Sequence, residues 1–141
     1  MTQKDKELLL KDLCARLPYG VKVQRLYYWG GKVKENNGTL ELNDLDDFIN
    51  QSNYTIKKLG YEYVKPYLRP MSSMTEEEKK EVRLYFSHCI EGLKGKSNDE
   101  QFILGFCQDA VALDWLNAHH FDYRGLIPMG LAIEALEDMY N

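Results

Sequence analysis

The 141-residue chain lacks most of the motifs that identify common catalytic sites and membrane anchors. It contains no GxSxG elbow, HExxH helix, P-loop or GxGxxG turn, so nothing marks a hydrolase nucleophile, a zinc protease or a phosphate-binding loop. No apolar run is long enough to span a membrane, and the charged N-terminus does not resemble a signal peptide. The sequence therefore predicts a protein that does not associate with membranes.

Cysteine is scarce, since the chain has three, Cys14, Cys89 and Cys107, with wide spacings and no CxxC pair. All three lie among apolar residues, where a thiol usually behaves as a small hydrophobic group. The odd number and the missing export signal favour reduced thiols in a cytosolic protein. We therefore expect the chain to reside in the cytoplasm of the host cell.

The net charge of −4 is unevenly distributed along the chain. Residues 21–70 carry eight Lys or Arg against six Asp or Glu, whereas residues 71–141 carry six against thirteen. Clustered positive charge is what binds phosphate, so the acidic second half disfavours nucleic-acid binding by the whole surface. A local basic face on the first half remains open.

The composition of 44% hydrophobic and 28% charged residues is that of a globular protein. Neither repeats nor a linker divide the chain, so residues 1–141 are predicted to form a single domain. The patterns follow the order helix, strands, helices. This order predicts an α+β fold with a small antiparallel sheet and helices packed on one face.

Periodicity in the first half predicts a helix over residues 5–17 and a strand over residues 21–29. Gly30-Gly31 suits a two-residue hairpin turn, and Asn36-Asn37-Gly38 suits a second turn. Segment 39–42 would then complete a meander.

Further along, residues 43–49 predict a short capped helix, and residues 54–68 return to strand character that Pro66 and Pro70 should limit. Thr75–Glu78 and Ser97–Glu100 are capping boxes that predict two helices, the second ending near residue 118. The tail is expected to form a turn and a short element around residues 131–133.

The first candidate site is an aromatic run in the predicted strand, Tyr27-Tyr28-Trp29, next to Arg25. Successive residues of a strand alternate faces, so at least one ring must be exposed. Tyrosine, tryptophan and arginine are enriched in protein interfaces, which favours binding of a protein partner. The competing interpretation is that these rings complete the core.

Basic residues around the same run support a less favoured alternative, a single-strand nucleic-acid interface. Stacking rings between cations that follow the backbone are typical of such interfaces. A second basic and tyrosine-rich stretch extends from residue 54 to residue 69. The cations near the aromatic run are Lys22, Arg25, Lys32 and Lys34.

The second candidate site is a polar cluster near the C-terminus. Its residue types allow a metal site or acid–base catalysis. In the structural alternative, the histidines end a helix, Asp122 caps the next turn, and Arg124 bonds to Asp122, Asp114 or a carbonyl. We favour that alternative and predict no catalytic residue, metal or cofactor. The members of the cluster are Asp114, His119, His120, Asp122, Tyr123 and Arg124.

Three segments carry a resemblance to known sequences: residues 11–21 (KDLCARLPYGV), 65–75 (KPYLRPMSSMT) and 120–127 (HFDYRGLI). In these segments the chain resembles short proteins encoded by phages and mobile elements of gut Bacteroidetes. The resemblance implies a setting inside a bacterial host and implies no reaction. With the interface composition, it leads us to expect a non-enzymatic accessory protein that binds a host or phage protein. No oligomeric state is predicted.

Overall fold

The computed structural model describes residues 2–50, 63–82 and 110–140. The predicted α+β fold is confirmed, with a four-stranded, mostly antiparallel sheet in the order β2-β1-β3-β4. None of the described helices is long and apolar enough to cross a membrane. The elements are α1 (Gln3–Arg16), β1 (Lys22–Trp29), β2 (Lys32–Thr39), α2 (Leu42–Asn50), β3 (Val64–Leu68), α3 (described over 76–82), α4 (Ala110–Ala118) and β4 (Ile133–Glu134).

Helix α1 confirms the helix predicted near the N-terminus. It begins with a reciprocal capping box, in which the Thr2 hydroxyl accepts from the Asp5 amide and the Asp5 carboxylate accepts from the Thr2 amide. Leu9 and Leu13 are buried on its inner side. Cys14, expected among the apolar residues, is instead exposed, because it lies on the opposite side of the helix.

The β1–β2 hairpin has the predicted turn at Gly30-Gly31. The strands pair antiparallel from Lys22 opposite Thr39 to Trp29 opposite Lys32. Gly30 and Gly31 have φ angles of 62° and 78°, and two successive positive values are characteristic of a type I′ turn. Since the twist of this turn matches that of the strands, the hairpin continues in register up to its end.

The second turn, predicted at Asn36-Asn37-Gly38, was wrong, because these residues lie within β2. The glycine serves packing: a Cβ atom at Gly38 would lie 2.6 Å from Nη1 of Arg25 on the neighbouring strand. Asn37 accepts a hydrogen bond of 2.8 Å from the Tyr67 hydroxyl. Strand β2 ends at Thr39 and α2 starts at Leu42, so segment 39–42 adds no strand, whereas the helix predicted over residues 43–49 is confirmed.

The sequence suggested that Pro66 would limit the strand. Instead, Pro66 lies in the middle of β3, opposite Val23. The amide of Leu26 donates to the carbonyl of Tyr63. Because hydrogen-bonded and non-bonded pairs alternate along an antiparallel ladder, Pro66 falls on a non-bonded pair facing β1. Its missing N–H therefore leaves that ladder complete.

The short element predicted near residues 131–133 is β4, and it makes the sheet mixed. It pairs parallel to β3, with Tyr67 opposite Ile133 and Leu68 opposite Glu134. An isolated parallel bridge joins Arg69 to Phe121 next to it. The tail therefore covers the β3 side of the sheet and leaves β2 at the opposite edge.

The capping box at Thr75–Glu78 is confirmed. The Thr75 hydroxyl accepts from the Glu78 amide at 3.1 Å, and the Glu78 carboxylate accepts from the Thr75 amide at 3.0 Å. The box at Ser97–Glu100, most of the helix predicted after it, the strand before residue 63, and Cys89 and Cys107 lie outside the described residues.

Two groups of buried side chains form the core within the described ranges. The first joins α1, α2 and the sheet to the tail, and the second packs the end of α4 against the segment after it. The second group is Trp115, Leu116 and Phe121. The first includes Leu9, Leu13, Val21, Val23, Leu45, Phe48, Val64, Leu68, Leu126 and Leu131.

A buried network of charges connects α1 to the C-terminal segment. Asp12 and Arg16 are fully buried, and the Arg16 Nε donates to the Asp12 carboxylate at 2.8 Å. The Arg16 Nη2 donates to the carbonyl of Phe121 at 2.6 Å. Arg124 donates to the second carboxylate oxygen of Asp12 at 3.1 Å. One carboxylate thus neutralises a buried guanidinium from its own helix and bonds to another from the tail.

Replacement of Asp12 should be among the most destabilising changes in the chain. Asp12→Ala would leave Arg16 buried without its carboxylate, and removal of one partner of a buried ion pair costs about 3–5 kcal/mol. Urea denaturation monitored by circular dichroism measures the free energy of unfolding. Glu76→Ala is the control, because Glu76 forms an exposed pair with Lys79 and should contribute less than about 1 kcal/mol. Equal losses in the two variants would contradict this interpretation.

Candidate functional site

The three consecutive aromatic residues lie exposed at the end of the hairpin. Val23, at the start of β1, is completely buried. Tyr27, Tyr28 and Trp29 are 41%, 46% and 69% exposed. The strand therefore begins in the core and ends beyond it, and the prediction that at least one ring is exposed is confirmed.

The register places two of these rings and two lysines on one face of the hairpin. Trp29 is opposite Lys32, and Tyr27 is opposite Lys34. Directly opposed residues share a face, and positions two apart share it too. We call Tyr27, Trp29, Lys32 and Lys34 the hairpin surface. Tyr28, opposite Val33, lies on the reverse face.

Arg25, proposed as a neighbour of the aromatic contact surface, supports the base of the hairpin. Its Nε and Nη2 donate to the two carboxylate oxygens of Asp44 on α2, at 2.6 and 2.8 Å. Burial raises the pKa of Asp44, but Arg25, the Glu41 amide and Tyr63 outweigh it, so that pKa is lowered. This bidentate pair ties β1 to α2.

The other basic residues of the two tyrosine-rich stretches include both bonded and unbonded ones. The Lys22 ammonium donates to the carbonyl of Met139, and Arg69 forms a bidentate pair with Glu78. Lys32 and Lys34 are exposed and form no ion pair with any described residue. Of the four cations near the aromatic run, Lys32 and Lys34 are therefore the two whose charge is available to a ligand.

The six residues of the C-terminal cluster do not converge on one site. Asp114 is exposed and lies beside Tyr19, whose pKa is raised by desolvation and by the charge and hydrogen bond of Asp114. Tyr123 donates to the side chain of Asn117 at 2.9 Å. Both of these polar groups contact another part of the fold, which agrees with the structural alternative for the cluster.

The two histidines end α4 in a Schellman motif. The amide of Phe121 donates to the carbonyl of Leu116, and the amide of His120 donates to that of Asn117. His120 occupies the left-handed position with φ 65°, where glycine is usual. Phe121 packs against Leu116, the apolar contact that accompanies this motif. The histidines were expected at the last turn of the helix, and they lie there.

His120 is buried, and its ring stacks on that of Tyr140 with 3.7 Å between centroids. The Tyr140 hydroxyl accepts from the Lys22 amide and donates to the carbonyl of Tyr67. Burial first, and then the positive charges of Arg16, His119, Arg69 and Lys22, lower the pKa of His120 to about 4. The neutral ring is therefore part of the packing that holds the tail against the sheet.

Asp122 caps the following turn, as predicted. Its two carboxylate oxygens accept from the amides of Leu126 and Ile127 at 2.8 and 2.9 Å. The partner predicted for Arg124 was wrong, because Arg124 bonds to Asp12 of α1 rather than to Asp122 or Asp114. That contact joins positions 112 residues apart, and no local spacing indicates it.

A cleft of about 480 Å³ opens beside His119. The His119 Nδ1 lies 2.8 Å from the carbonyl oxygen of Trp115, and since a carbonyl only accepts, Nδ1 carries the proton. In the described part of the chain, no hydroxyl, thiol or carboxylate bonds to this ring, so no nucleophile–base pair is formed. The described residues also contain no group of three or more potential metal ligands. The cleft is lined by Arg69, Pro70, Ser73, Thr75, Glu78, His119 and residues 134–140.

Asp12 and Arg16 were missed at the level of sequence, although a signal for them exists. Leu9 and Leu13 define the inner face of α1, and positions 12 and 16 fall on the same face at helical spacing. A carboxylate and a guanidinium four residues apart within an apolar stripe indicate a buried pair. The resembling segments 11–21, 65–75 and 120–127 are also in contact, since Arg124 bonds to Asp12 and Arg69 forms a bridge with Phe121.

Comparison with known proteins assigns no family to the chain. No family model, no curated protein and no solved structure matches it. Its function is therefore argued from the exposed hairpin surface and the bonded C-terminal cluster.

The buried His120 should make stability depend on pH between neutral and mildly acidic conditions. Its pKa is 6.5 as the ordinary value and about 4 in the fold. Between these values His120 binds more protons in the unfolded chain than in the folded one. Its contribution to the free energy of unfolding is therefore fully present above pH 6.5 and is lost as the pH falls towards 4. The contribution lost between about pH 7.5 and about pH 5 is about 2 kcal/mol.

Urea denaturation at the two pH values measures this loss. His120→Asn should flatten the pH dependence, since asparagine tolerates the left-handed conformation and does not titrate. His119→Asn is the companion variant: it removes one of the charges that lower the pKa of His120 and should therefore reduce the slope less than His120→Asn does. A slope in the His120 variant equal to that of the unmodified chain would show that another group is responsible.

Proposed function

We propose that the chain is a non-enzymatic accessory protein that binds a partner protein through the end of its β1–β2 hairpin. One observation carries this proposal: three consecutive rings, Tyr27, Tyr28 and Trp29, are exposed where the strand leaves the core. Aromatic side chains combine a large apolar area with few rotatable bonds, and they dominate the energetics of protein interfaces. Contact with a partner would remove that area from water.

The support beneath the hairpin favours binding over incomplete core packing. The type I′ turn holds the strands in register, and the pair between Arg25 and Asp44 attaches their base to α2. A surface already held in one conformation loses less entropy when it binds. By contrast, Asp122, Tyr123 and Arg124 of the C-terminal cluster bond to other parts of the fold, and the His120 ring stacks on Tyr140. These contacts favour a structural role for them.

A single-stranded nucleic acid is the second candidate partner, and the arrangement of the hairpin surface favours it. Tyr27 and Trp29 share a face with Lys32 and Lys34, so ring stacking and phosphate contacts would be available side by side. Binding of this kind weakens steeply as salt increases, and Lys34→Ala should lower the slope. A partner held mainly through apolar contacts would show a weaker dependence.

The resemblance to phage and mobile-element proteins supports the choice of lysate for a test. We expect the partner to be a protein of the bacterial host or of the phage. A regulatory role in the host cytoplasm belongs to the same proposal and rests on that resemblance.

Trp29→Ala should abolish capture of the partner and leave the fold intact. The residue is 69% exposed, so its removal creates no core cavity. Tagged chain is incubated with lysate of a Bacteroidetes host, with and without nuclease, and captured proteins are quantified by mass spectrometry. Leu42→Ala is the matched control, because Leu42 is 71% exposed on a different element.

The proposal expects one protein retained by the unmodified chain and by the Leu42 variant and lost with the Trp29 variant. Circular dichroism and the unfolding midpoint should be the same in all three. Capture unaffected by Trp29→Ala would contradict it, as would unfolding of that variant, which would make the ring a core residue. Capture that disappears after nuclease treatment would favour the nucleic-acid candidate.

A further inference from the structure

Strand β2 is an edge of the sheet as far as the described residues extend. The sheet order places it next to β1 alone. In a two-residue hairpin the residues flanking the turn, Trp29 and Lys32, form a hydrogen-bonded pair, and bonded pairs then alternate with non-bonded ones. The amides and carbonyls that face away from β1 are therefore those of Val33, Glu35 and Asn37.

Natural sheets usually protect such an edge, and β2 is eight residues long. Its side chains are largely exposed, Lys32–Thr39 contains no bulge or proline, and no strand of the described residues pairs with its outer side. An extended segment could bond to this edge along its length, which is the mode known as strand addition. The edge and the exposed rings belong to the same hairpin.

We propose that the partner contributes an extended acidic segment that adds to the edge of β2, with its carboxylates beside Lys32 and Lys34. This inference rests on the proposed protein-binding function and specifies the chemistry of the partner. Charge complementarity carries it: the two lysines are exposed, lie on one face, and form no ion pair with a described residue. Main-chain bonds provide affinity, and the lysines select the sequence.

The alternation of β2 specifies the pattern of the segment. Side chains on one face of an added strand would lie next to Lys32 and Lys34, where aspartate or glutamate fits. Side chains on the other face would lie next to Val33 and Tyr28, where apolar residues fit. Glu35 is also on that reverse face and would repel a carboxylate there. The expected ligand therefore alternates acidic and apolar residues.

The reverse face also favours a peptide over a nucleic acid. Val33, Tyr28 and Glu35 offer apolar surface and a negative charge to whatever covers them. A phosphate backbone has no N–H donor for the outward carbonyls of β2, and its charge would meet Glu35. A peptide strand supplies both donors and acceptors along the whole edge.

The test measures binding of a fluorescent peptide to the full chain by anisotropy. The probe has eight residues in which glutamate and valine alternate, matching the eight residues of β2. A block peptide of the same composition, with all the glutamates before the valines, keeps the charge and loses the alternation. An unlabelled single-stranded DNA oligonucleotide serves as competitor.

Two substitutions in the protein test the two parts of the inference. Lys34→Glu reverses one charge of the hairpin surface, with Lys80→Glu as control on α3, where Lys80 is exposed. Glu35→Pro removes an outward N–H that does not pair with β1, with Glu35→Ala as control for loss of the side chain. Circular dichroism verifies that each variant is folded.

The expected result is that the alternating peptide binds at least about tenfold more tightly than the block peptide, as the loss of one face of contacts implies. Lys34→Glu should weaken binding about fivefold or more, and added salt should weaken it too. Glu35→Pro should weaken it while Glu35→Ala does not. The control Lys80→Glu should leave it unchanged.

Equal binding of the two peptides, or unchanged binding in folded Glu35→Pro, would overturn strand addition. Displacement of the peptide by the oligonucleotide at lower concentration than by unlabelled peptide would overturn the choice of an acidic peptide. Either result could occur while capture still depends on Trp29, so failure of this inference is distinguishable from failure of the proposed function.

Discussion

The fully buried pair between Asp12 and Arg16 is the constraint on which the rest of the structure depends. A guanidinium without contact to water requires both a counter-charge and hydrogen-bond acceptors. Asp12 supplies the charge from one helical turn away, and the carbonyl of Phe121 supplies an acceptor from the other end of the chain. Arg124 bonds to the second oxygen of the same carboxylate, whereas Nη1 of Arg16 is buried with no hydrogen-bond partner among the described residues. The N-terminal helix is therefore satisfied electrostatically only when the C-terminal segment packs against it.

That requirement explains why the polar residues after α4 act in structure. Asp122 satisfies two amides, His120 takes the left-handed position that ends the helix, and Tyr123 bonds to Asn117. Each hydrogen bond contributes about 1 kcal/mol, and leaving such a group unpaired in the interior would cost more. Residue types that also occur in catalytic sites are thus used here to close the fold.

The hairpin is the counterpart of that closed region. Its turn and register are local properties, and they extend the strand past the core that α1 and α2 cover. The bond between Arg25 and Asp44 of α2 holds the base of the hairpin. Gly38 leaves room for the Arg25 guanidinium that forms this bond. The end of the hairpin then presents rings and lysines on strands whose register is set by the turn. The rigid base and the exposed end together make this the surface that we propose for binding.

Features that depend on neighbours in sequence were determined by the sequence itself. The capping box at Thr75, the type I′ turn at Gly30-Gly31 and the cap formed by Asp122 involve groups at most five residues apart. The overall α+β order followed in the same way from periodicity.

Tertiary structure alone decided the features whose cause lies elsewhere in the chain. Gly38 looked like a turn residue, but its absent side chain accommodates Arg25 of the paired strand. Pro66 looked like the end of a strand, but its missing N–H falls where the ladder needs none. Arg124 bonds to a carboxylate 112 residues away. In each case a short sequence pattern has several solutions of similar energy, and contacts between distant residues select one of them.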